Sequence, residues 1–140
     1  MIIRNLDCIF CKIVKREIPA KIIAETEKSL AFIDAFPLTK GHSLVIPKNH
    51  YEKVQDISTV DNADLFETVR KVISKVDKIS NATLLAVHNG KESGQEIPHV
   101  HVHLIPRNTE DSAGPVHSMF KDRPKLSENE INQIHEKLKE

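Results

Sequence analysis

The sequence lacks the features that would tie it to a polyanion or a membrane. Its 20 basic and 20 acidic side chains cancel, so we expect neither nucleic acid nor a membrane surface as a partner. No segment approaches the ~20 apolar residues of a membrane-spanning helix, and no basic segment followed by an apolar run stands at the N-terminus. We therefore expect a cytoplasmic protein in which residues 1–140 form a single domain.

Cysteine is scarce as well. The two cysteines, Cys8 and Cys11, form a C-x-x-C pair. In a reducing compartment this spacing indicates metal binding or redox chemistry more than a structural disulfide. From the spacing alone, a pair of free buried thiols without a metal is equally consistent.

The apolar periodicity predicts three helices and five strands. We expect helices at 9–14, 59–80 and 127–138, and strands at 21–25, 30–33, 43–46, 83–87 and 100–105. The long helix carries one apolar stripe, made of Leu65, Val69, Val72, Val76 and Ile79. Strands joined mainly by short turns, with one long helix between the third and the fourth, predict an α+β fold on an antiparallel sheet of about five strands.

The most informative segment is a row of alternating histidines, His99, His101 and His103, separated by Val100 and Val102. On a strand the three imidazoles would share one face, since alternate side chains point the same way. Pro98 cannot donate to a sheet ladder, and an irregular strand start there would turn His99 aside. Imidazole titrates near neutrality, binds metals and attacks electrophiles. Neutral rings also need partners for a donor and an acceptor each, so such a row is a poor way to fill a core. The row therefore indicates chemistry rather than packing.

The pattern H-x-H-x-H-x-x with apolar x resembles the signature of the histidine-triad (HIT) family of nucleotide hydrolases and transferases. Further segments resemble its Hint-type branch, in the bacterial zinc-containing form, at matching spacing: Ile9-Phe10, residues 17–21, 32–34 and 41–48, Gly94-Gln95 and Pro106-Arg107. The resemblance covers about residues 8–107 and leaves residues 108–140 as a C-terminal extension. It implies a HIT-like domain.

The resemblance also implies an activity: cleavage at the α-phosphate of a purine nucleotide derivative, either a nucleoside phosphoramidate or a dinucleoside polyphosphate. His101 would attack phosphorus and form a covalent nucleotidyl-histidine intermediate. The backbone carbonyl of His99 would fix the tautomer of His101. His103, His42 and Gln95 would donate to the phosphate oxygens, where charge is spread in the transition state.

The nucleotide-binding residues follow from the same resemblance. Asp34 would accept the ribose hydroxyls, although by itself it could equally be a solvated acid in a turn. Asn89 and Gly94 belong to the loop beside the phosphate, where glycine lets backbone N–H groups approach closely. The base pocket would be apolar and made of residues that are core by default, namely Ile9, Phe10, Ile13, Ile18 and Phe32.

Two positions depart from the family pattern. Seven residues before Gln95 the family usually has an asparagine that bonds the phosphate or the backbone, and here that residue is His88. Asn89 is adjacent, but adjacent strand residues face opposite ways. Eukaryotic Hint enzymes have a serine after the glutamine, whereas this chain has Glu96, which weakens the expectation of efficient phosphoramidate cleavage.

The resemblance further implies a structural zinc ion held by Cys8, Cys11, His50 and His99, because thiolates and imidazoles at a closed tetrahedral site suit zinc. It calls for no organic cofactor. The expected partners are AMP or GMP derivatives and a second copy of the chain. The homodimer would pair through the long helix and a strand edge. Phe66 and Ile73 lie off the main stripe of that helix and would face the partner, although a role in the core alone is equally open.

Two other functions are consistent with the residues. One is a zinc hydrolase in which His99, His101 and His103 ligate a catalytic metal. The other is a nucleotide-binding sensor or adaptor with little turnover. Chelation would stop a metal-catalysed reaction at once, whereas a structural zinc would be lost slowly and together with stability. Replacement of His101 by alanine is expected to abolish turnover and keep nucleotide binding, and equal catalysis by that variant would contradict covalent chemistry.

Overall fold

In the computed structural model, which is described for residues 5–140, three helices and five strands form. The helices are α1 (Ile9–Val14), α2 (Thr59–Val76) and α3 (Glu128–Leu138); the strands are β1 (Ile22–Glu25), β2 (Ser29–Ile33), β3 (Ser43–Pro47), β4 (Ala82–Ala86) and β5 (Val102–Arg107). All five strands join one antiparallel sheet in the order β1-β2-β3-β5-β4. The predicted α+β fold is confirmed. Within residues 5–140 no helix has the length and apolar character needed to cross a membrane.

The sheet is covered on both faces near β2 and β3. Ala31 and Val45 pack against the apolar stripe of α2 in one cluster. Their sequence neighbours Leu30 and Leu44 face the other way and pack with α1 in a second cluster. Successive strand residues point to opposite faces, so burial of both faces explains why β2 and β3 are almost continuously apolar.

Helix α2 is shorter than predicted. The Ser58 side chain caps it by accepting from the Asp61 backbone N–H, and the helix ends at Val76 rather than at residue 80. Beyond Val76 the chain tightens into i→i+3 turns, and the Ser80 hydroxyl donates to the carbonyl of Arg107 at the end of β5. This long-range bond competes with helix continuation and leaves Ile79 half exposed.

The histidine row is not a continuous strand, because β5 begins only at Val102. Pro98 has no N–H and cannot join a sheet ladder. The His99 N–H instead donates to the Ile97 carbonyl (2.8 Å), and the Val100 N–H donates to the carbonyl of Tyr51 (2.7 Å). The three imidazoles therefore do not share one strand face. The irregular strand start expected at Pro98 is what the structure has, and His99 faces a different space from His101.

Candidate active site and metal centre

A cavity of about 720 Å³ opens between α1, the ends of β2 and β5, and the loops that join them. This volume is in the range of small-molecule sites. One part of its wall is apolar and contains the predicted base-pocket residues, Ile9, Phe10, Ile13, Ile18 and Phe32. The polar part of its wall includes Asp34, His42, His88, His101 and His103.

The tautomer of His101 is fixed by the backbone. Its Nδ1 lies 2.7 Å from the carbonyl oxygen of His99, and only a protonated Nδ1 can donate to that acceptor. The lone pair is consequently on Nε2, in a ring that lines the cavity. Phe10 packs edge-on against this ring, with the centroids 5.1 Å apart. The arrangement holds a neutral imidazole with a free nucleophilic nitrogen.

A chain of hydrogen bonds fixes the tautomers of His42 and His103. The Leu38 N–H donates to His42 Nδ1 (3.0 Å), so the proton of a neutral His42 is on Nε2. His42 Nε2 then donates to His103 Nδ1 (2.9 Å), which places the His103 proton on Nε2. That Nε2 is buried and has no hydrogen-bond partner among residues 5–140. A buried donor without a partner costs free energy, so it indicates a ligand acceptor at this point.

Burial keeps these three rings uncharged. It lowers the pKa of His42 and of His101, and it lowers the pKa of His103 to about 4 with the help of the neighbouring imidazoles. The Asp34 carboxylate, whose Oδ2 lies 3.6 Å from His42 Nε2, opposes the effect at His42 without reversing it. The wall therefore offers neutral donors and one neutral nucleophile at physiological pH.

A second cluster lies on the other side of the row, where Cys8, Cys11, His50 and His99 bring their ligand atoms together. His99 Nδ1 lies 3.4 Å from Cys8 Sγ, 3.6 Å from Cys11 Sγ and 3.2 Å from His50 Nδ1. Tetrahedral zinc, with Zn–S near 2.3 Å and Zn–N near 2.0–2.1 Å, sets neighbouring ligands about 3.3–3.8 Å apart. The four residues fit a closed zinc site.

The tautomer of His99 supports the same assignment. Its Nε2 donates to the carbonyl of Pro47 (2.8 Å), which leaves the Nδ1 lone pair to face the sulfurs. Burial raises the pKa of the Cys8 thiol and lowers that of His99 to about 4. A bound cation is the group that would favour thiolates in so buried a place.

A sequence model of the HIT domain matches residues 15–110, well over half of the chain. The chain belongs to the HIT family. The adenosine 5'-monophosphoramidase of Schizosaccharomyces pombe is 44% identical over 106 residues, which cover 76% of this chain and 78% of that protein. The family resemblance is thereby confirmed, whereas the separation into residues 8–107 and an extension at 108–140 stays a prediction.

Solved structures extend the comparison. The crystal structure of SMU.412c from Streptococcus mutans superposes with a TM-score of 0.86 at 31% identity, covering 97% of this chain and 85% of that one. A zinc-bound histidine triad family protein from Mycobacterium smegmatis superposes with a TM-score of 0.68 at 32% identity and covers 76% of this chain and 79% of its own.

Gln95 lies apart from the row of His99, His101 and His103. Its Oε1 accepts from the Gly90 N–H (2.8 Å), and its Nε2 donates to the carbonyls of Glu52 (2.8 Å) and Ile97 (3.1 Å). The whole amide is thus engaged in holding the loop after β4. Its predicted donation to a phosphate oxygen stays a prediction that requires one of these bonds to open.

Asn89 and Gly94, both predicted to contact nucleotide, occupy different places. The Asn89 side chain accepts from the Val54 N–H (2.8 Å) and donates to Gln55 Oε1 (2.9 Å), and Asn89 is not among the residues of the cavity wall. Gly94 lines the cavity with φ at +107°, a conformation that glycine adopts without strain.

The cavity wall also contains residues that the sequence patterns did not indicate, most clearly Phe36 and Leu38. Leu38 supplies the backbone N–H that sets the histidine chain, and Phe36 is 86% exposed at the mouth of the cavity. Both lie between Asp34 and His42, two residues that the sequence predicts for the site. Because these two positions are close in sequence, the loop between them is expected to lie near the site as well.

Proposed function

We propose that this HIT-family protein is a nucleotide hydrolase or transferase that cleaves at the α-phosphate of a purine nucleotide derivative through a nucleotidyl-His101 intermediate. One observation carries the proposal: His101, with its lone pair on Nε2, and His103, whose Nε2–H has no partner among residues 5–140, line the same cavity. A nucleophile beside an unfilled donor suits a phosphoryl group, which needs attack at phosphorus and donors to its oxygens.

In the first step His101 Nε2 forms a bond to the α-phosphorus, and the bond to the leaving group breaks. The leaving amine or phosphate takes the electron pair, and an amine also takes a proton from water. The His99 carbonyl, which accepts from His101 Nδ1, stabilises the positive charge that develops on the ring. In the second step water attacks phosphorus, the bond to Nε2 breaks, a proton leaves to solvent and the nucleoside monophosphate is released.

The rest of the cavity supports the substrate class that we propose. The apolar part of the wall suits a base, and Asp34, which is half buried in the same wall, is the residue that we propose accepts the ribose hydroxyls. Relatives support the class, because the S. pombe protein is an adenosine 5'-monophosphoramidase. We therefore infer that AMP or GMP derivatives bind, with a phosphoramidate or a dinucleoside polyphosphate as the reacting bond.

We also propose that the Cys8, Cys11, His50 and His99 cluster holds a structural zinc ion. When bound, zinc would neutralise the thiolates and tie the N-terminal segment to the histidine row. The metal-competent groups within residues 5–140 separate His99 from His103, an arrangement that favours a structural ion over a catalytic three-histidine site.

A homodimer completes the proposal. Phe66 on α2 is 40% exposed, and every residue of α3 is exposed although the helix carries Ile131, Ile134 and Leu138. An 11-residue helix is marginal in water without packing, so a second copy of the chain is the partner we propose for these surfaces. Light scattering after size-exclusion chromatography tests it, and a monomeric mass would contradict it.

The central experiment is to trap the intermediate. Protein mixed with adenosine 5'-phosphoramidate is quenched within one turnover and digested, and the mass of the peptide containing residue 101 is measured. We expect an adenylyl adduct on His101 in the wild-type protein and none in His101→Ala. AMP release without an adduct at any time in the wild-type protein would contradict the covalent route.

A further inference from the structure

A second groove adjoins the cavity that holds His101. It has a volume of about 800 Å³ and meets the cavity at Gly94 and Glu96, which line both. The other charged residues of the groove are Glu52, Lys53 and Lys91. The apolar base pocket and His101 belong to the cavity alone. A leaving group bonded to an α-phosphorus beside His101 therefore has the groove next to it.

Two loops that are tied together form the groove. Asn89 Oδ1 accepts from the Val54 N–H (2.8 Å), and Gln95 Nε2 donates to the carbonyl of Glu52 (2.8 Å). These bonds join the segment after β3 to the loop after β4. A groove whose walls are already held in place loses less conformational freedom when a ligand binds.

Two ammonium groups flank the same glycine in this groove. The Lys53 side chain lies along Gly90, since a Cβ added there would be 3.8 Å from Lys53 Cε and 3.9 Å from Nζ, and Lys91 follows Gly90 in the chain. Glu52 and Glu96 supply two carboxylates. All four charged side chains are exposed, and none of them forms an ion pair or a hydrogen bond among residues 5–140. Both signs of charge are therefore available to a ligand.

The charges are ordered along the groove. Burial lowers the pKa of His101 and the Glu96 carboxylate at the junction opposes that effect, so Glu96 acts on the reacting ring. Lys53 and Lys91 line the groove alone. A leaving group that extends from His101 into the groove meets a carboxylate first and ammonium groups beyond it. This order disfavours a polyphosphate, which is anionic from its first oxygen, and suits an amine that carries an anion farther along.

We propose that the groove binds the leaving group and that Lys53 and Lys91 contact a carboxylate on it, so that the preferred substrate is a nucleoside phosphoramidate of an amine that carries a carboxylate, such as an amino acid. The nitrogen leaves with the electron pair of the P–N bond and takes up two protons from water, one in place of phosphorus and one to become an ammonium. Glu96 then faces the ammonium, and Glu52 has no part in this assignment. The inference rests on the proposed function and names the leaving group.

The test compares two conjugates of AMP, linked through phosphorus to the α-amine of alanine or of alaninamide, which differ in the negative charge of the leaving group. kcat/KM for AMP release is measured for the wild-type protein, Lys53→Gln, Lys91→Gln and the double variant. We expect the wild-type protein to prefer the alanine conjugate about 5-fold, each single variant about 2-fold and the double variant not at all, as fits exposed ion pairs. Added salt should weaken the wild-type preference, because it screens exposed charges.

Two control variants separate a contact from a general effect of charge. Lys121→Gln removes an exposed lysine outside both cavities and should keep the wild-type preference. Glu52→Gln removes a negative charge from the same groove and should keep the preference or raise it. A preference that falls equally in Lys121→Gln and in the double variant would overturn the contact.

The remaining outcomes distinguish this inference from the proposed function. If the wild-type protein and the double variant show the same preference, or the wild-type protein shows none, the inference is wrong. It is also wrong if the lysine variants lower kcat/KM for diadenosine tetraphosphate alone, because the groove then serves a polyphosphate. If the wild-type protein binds AMP but releases none from either conjugate, the hydrolase function fails. Calorimetry on the intact conjugates then decides: tighter binding of the alanine conjugate that the double variant loses supports the contact, and equal binding overturns it.

Discussion

Two groups of imidazoles lie within five residues of sequence and face different surroundings. His99 donates from Nε2 to a backbone carbonyl and leaves Nδ1 toward two sulfurs, whereas His101 donates from Nδ1 to a backbone carbonyl and leaves Nε2 in a ring beside the cavity. The residue type is the same, and in both the remaining lone pair is selected by the carbonyl that the other nitrogen meets. Backbone acceptors therefore decide whether a histidine suits a metal or a phosphorus atom.

The two groups are also connected. His99 offers its ring to the cysteine cluster and its carbonyl to His101. Any change that moves the His99 backbone therefore reaches the reacting nitrogen, whereas a change confined to the His101 ring leaves the metal cluster intact. Substitutions on either side of this carbonyl test whether the two groups serve different purposes.

The largest effect is expected on the cavity side. His101→Ala should lower kcat by at least about 10³-fold, because it removes the only ring nitrogen proposed to attack phosphorus. AMP binding should survive, since the apolar wall and His103 remain. Single-turnover kinetics and AMP titration measure the two properties, and Tm should shift by no more than about 2 °C. Near-normal turnover in this variant would contradict the covalent mechanism.

The next effect is expected on the metal side, and it should be an effect on stability. His50→Ala removes one ligand of the cluster without touching the cavity wall. We expect the zinc content to fall and Tm to drop by about 10 °C or more, since the binding free energy of a structural zinc is folding free energy. Atomic emission and calorimetry measure these, with His117→Ala as the matched control. Immediate loss of activity on chelation, at unchanged Tm, would instead indicate a catalytic metal.

A smaller effect is expected from the chain of hydrogen bonds that sets the tautomer of His103. His42→Phe removes the donor to His103 Nδ1 and frees that ring to take either tautomer. We expect kcat/KM to fall by roughly 10-fold to 100-fold, as for the loss of one aligned donor. His42→Gln, which keeps a donor and an acceptor, should recover part of the loss. Nitrogen-15 shifts of His103 report the tautomer, and a pure Nε2–H form in His42→Phe would contradict the assigned chain.

Much of this arrangement could be predicted from the sequence, and what could not depends on distant backbone atoms. The family resemblance, rather than spacing alone, implied the set Cys8, Cys11, His50 and His99 and the apolar pocket, and the structure brings each set together. The sequence predicts an irregular strand start at Pro98. It does not predict that the Val100 N–H there donates to the carbonyl of Tyr51. The place of Gln95 could not be predicted for the same reason. Its amide donates to the carbonyl of Glu52, and the sequence around Gln95 does not indicate that contact.

The end of α2 makes the same point about the scaffold. Its apolar stripe predicts continuation through Ile79, and propensity alone gives no stop signal there, since neither glycine nor proline follows. The stop is imposed by Ser80, whose hydroxyl reaches the end of β5. Tertiary hydrogen bonding thus overrides a local pattern that was otherwise sound.

The smallest effect expected is a pH dependence of stability that originates in the cavity wall. Burial lowers the pKa of His103 to about 4 in the folded protein, against about 6.5 for an unfolded histidine. Between these values the unfolded state binds the extra proton, so the contribution is fully present above pH 6.5 and is lost as the pH falls toward 4. One proton changes the slope by at most about 1.4 kcal/mol per pH unit. Urea unfolding of wild type and His103→Gln from pH 7.5 to 4.5 isolates this term, because the carboxylates are common to both. Parallel curves would mean that folding does not lower the pKa of His103, and the assignment of neutral imidazoles to the cavity wall would then be wrong.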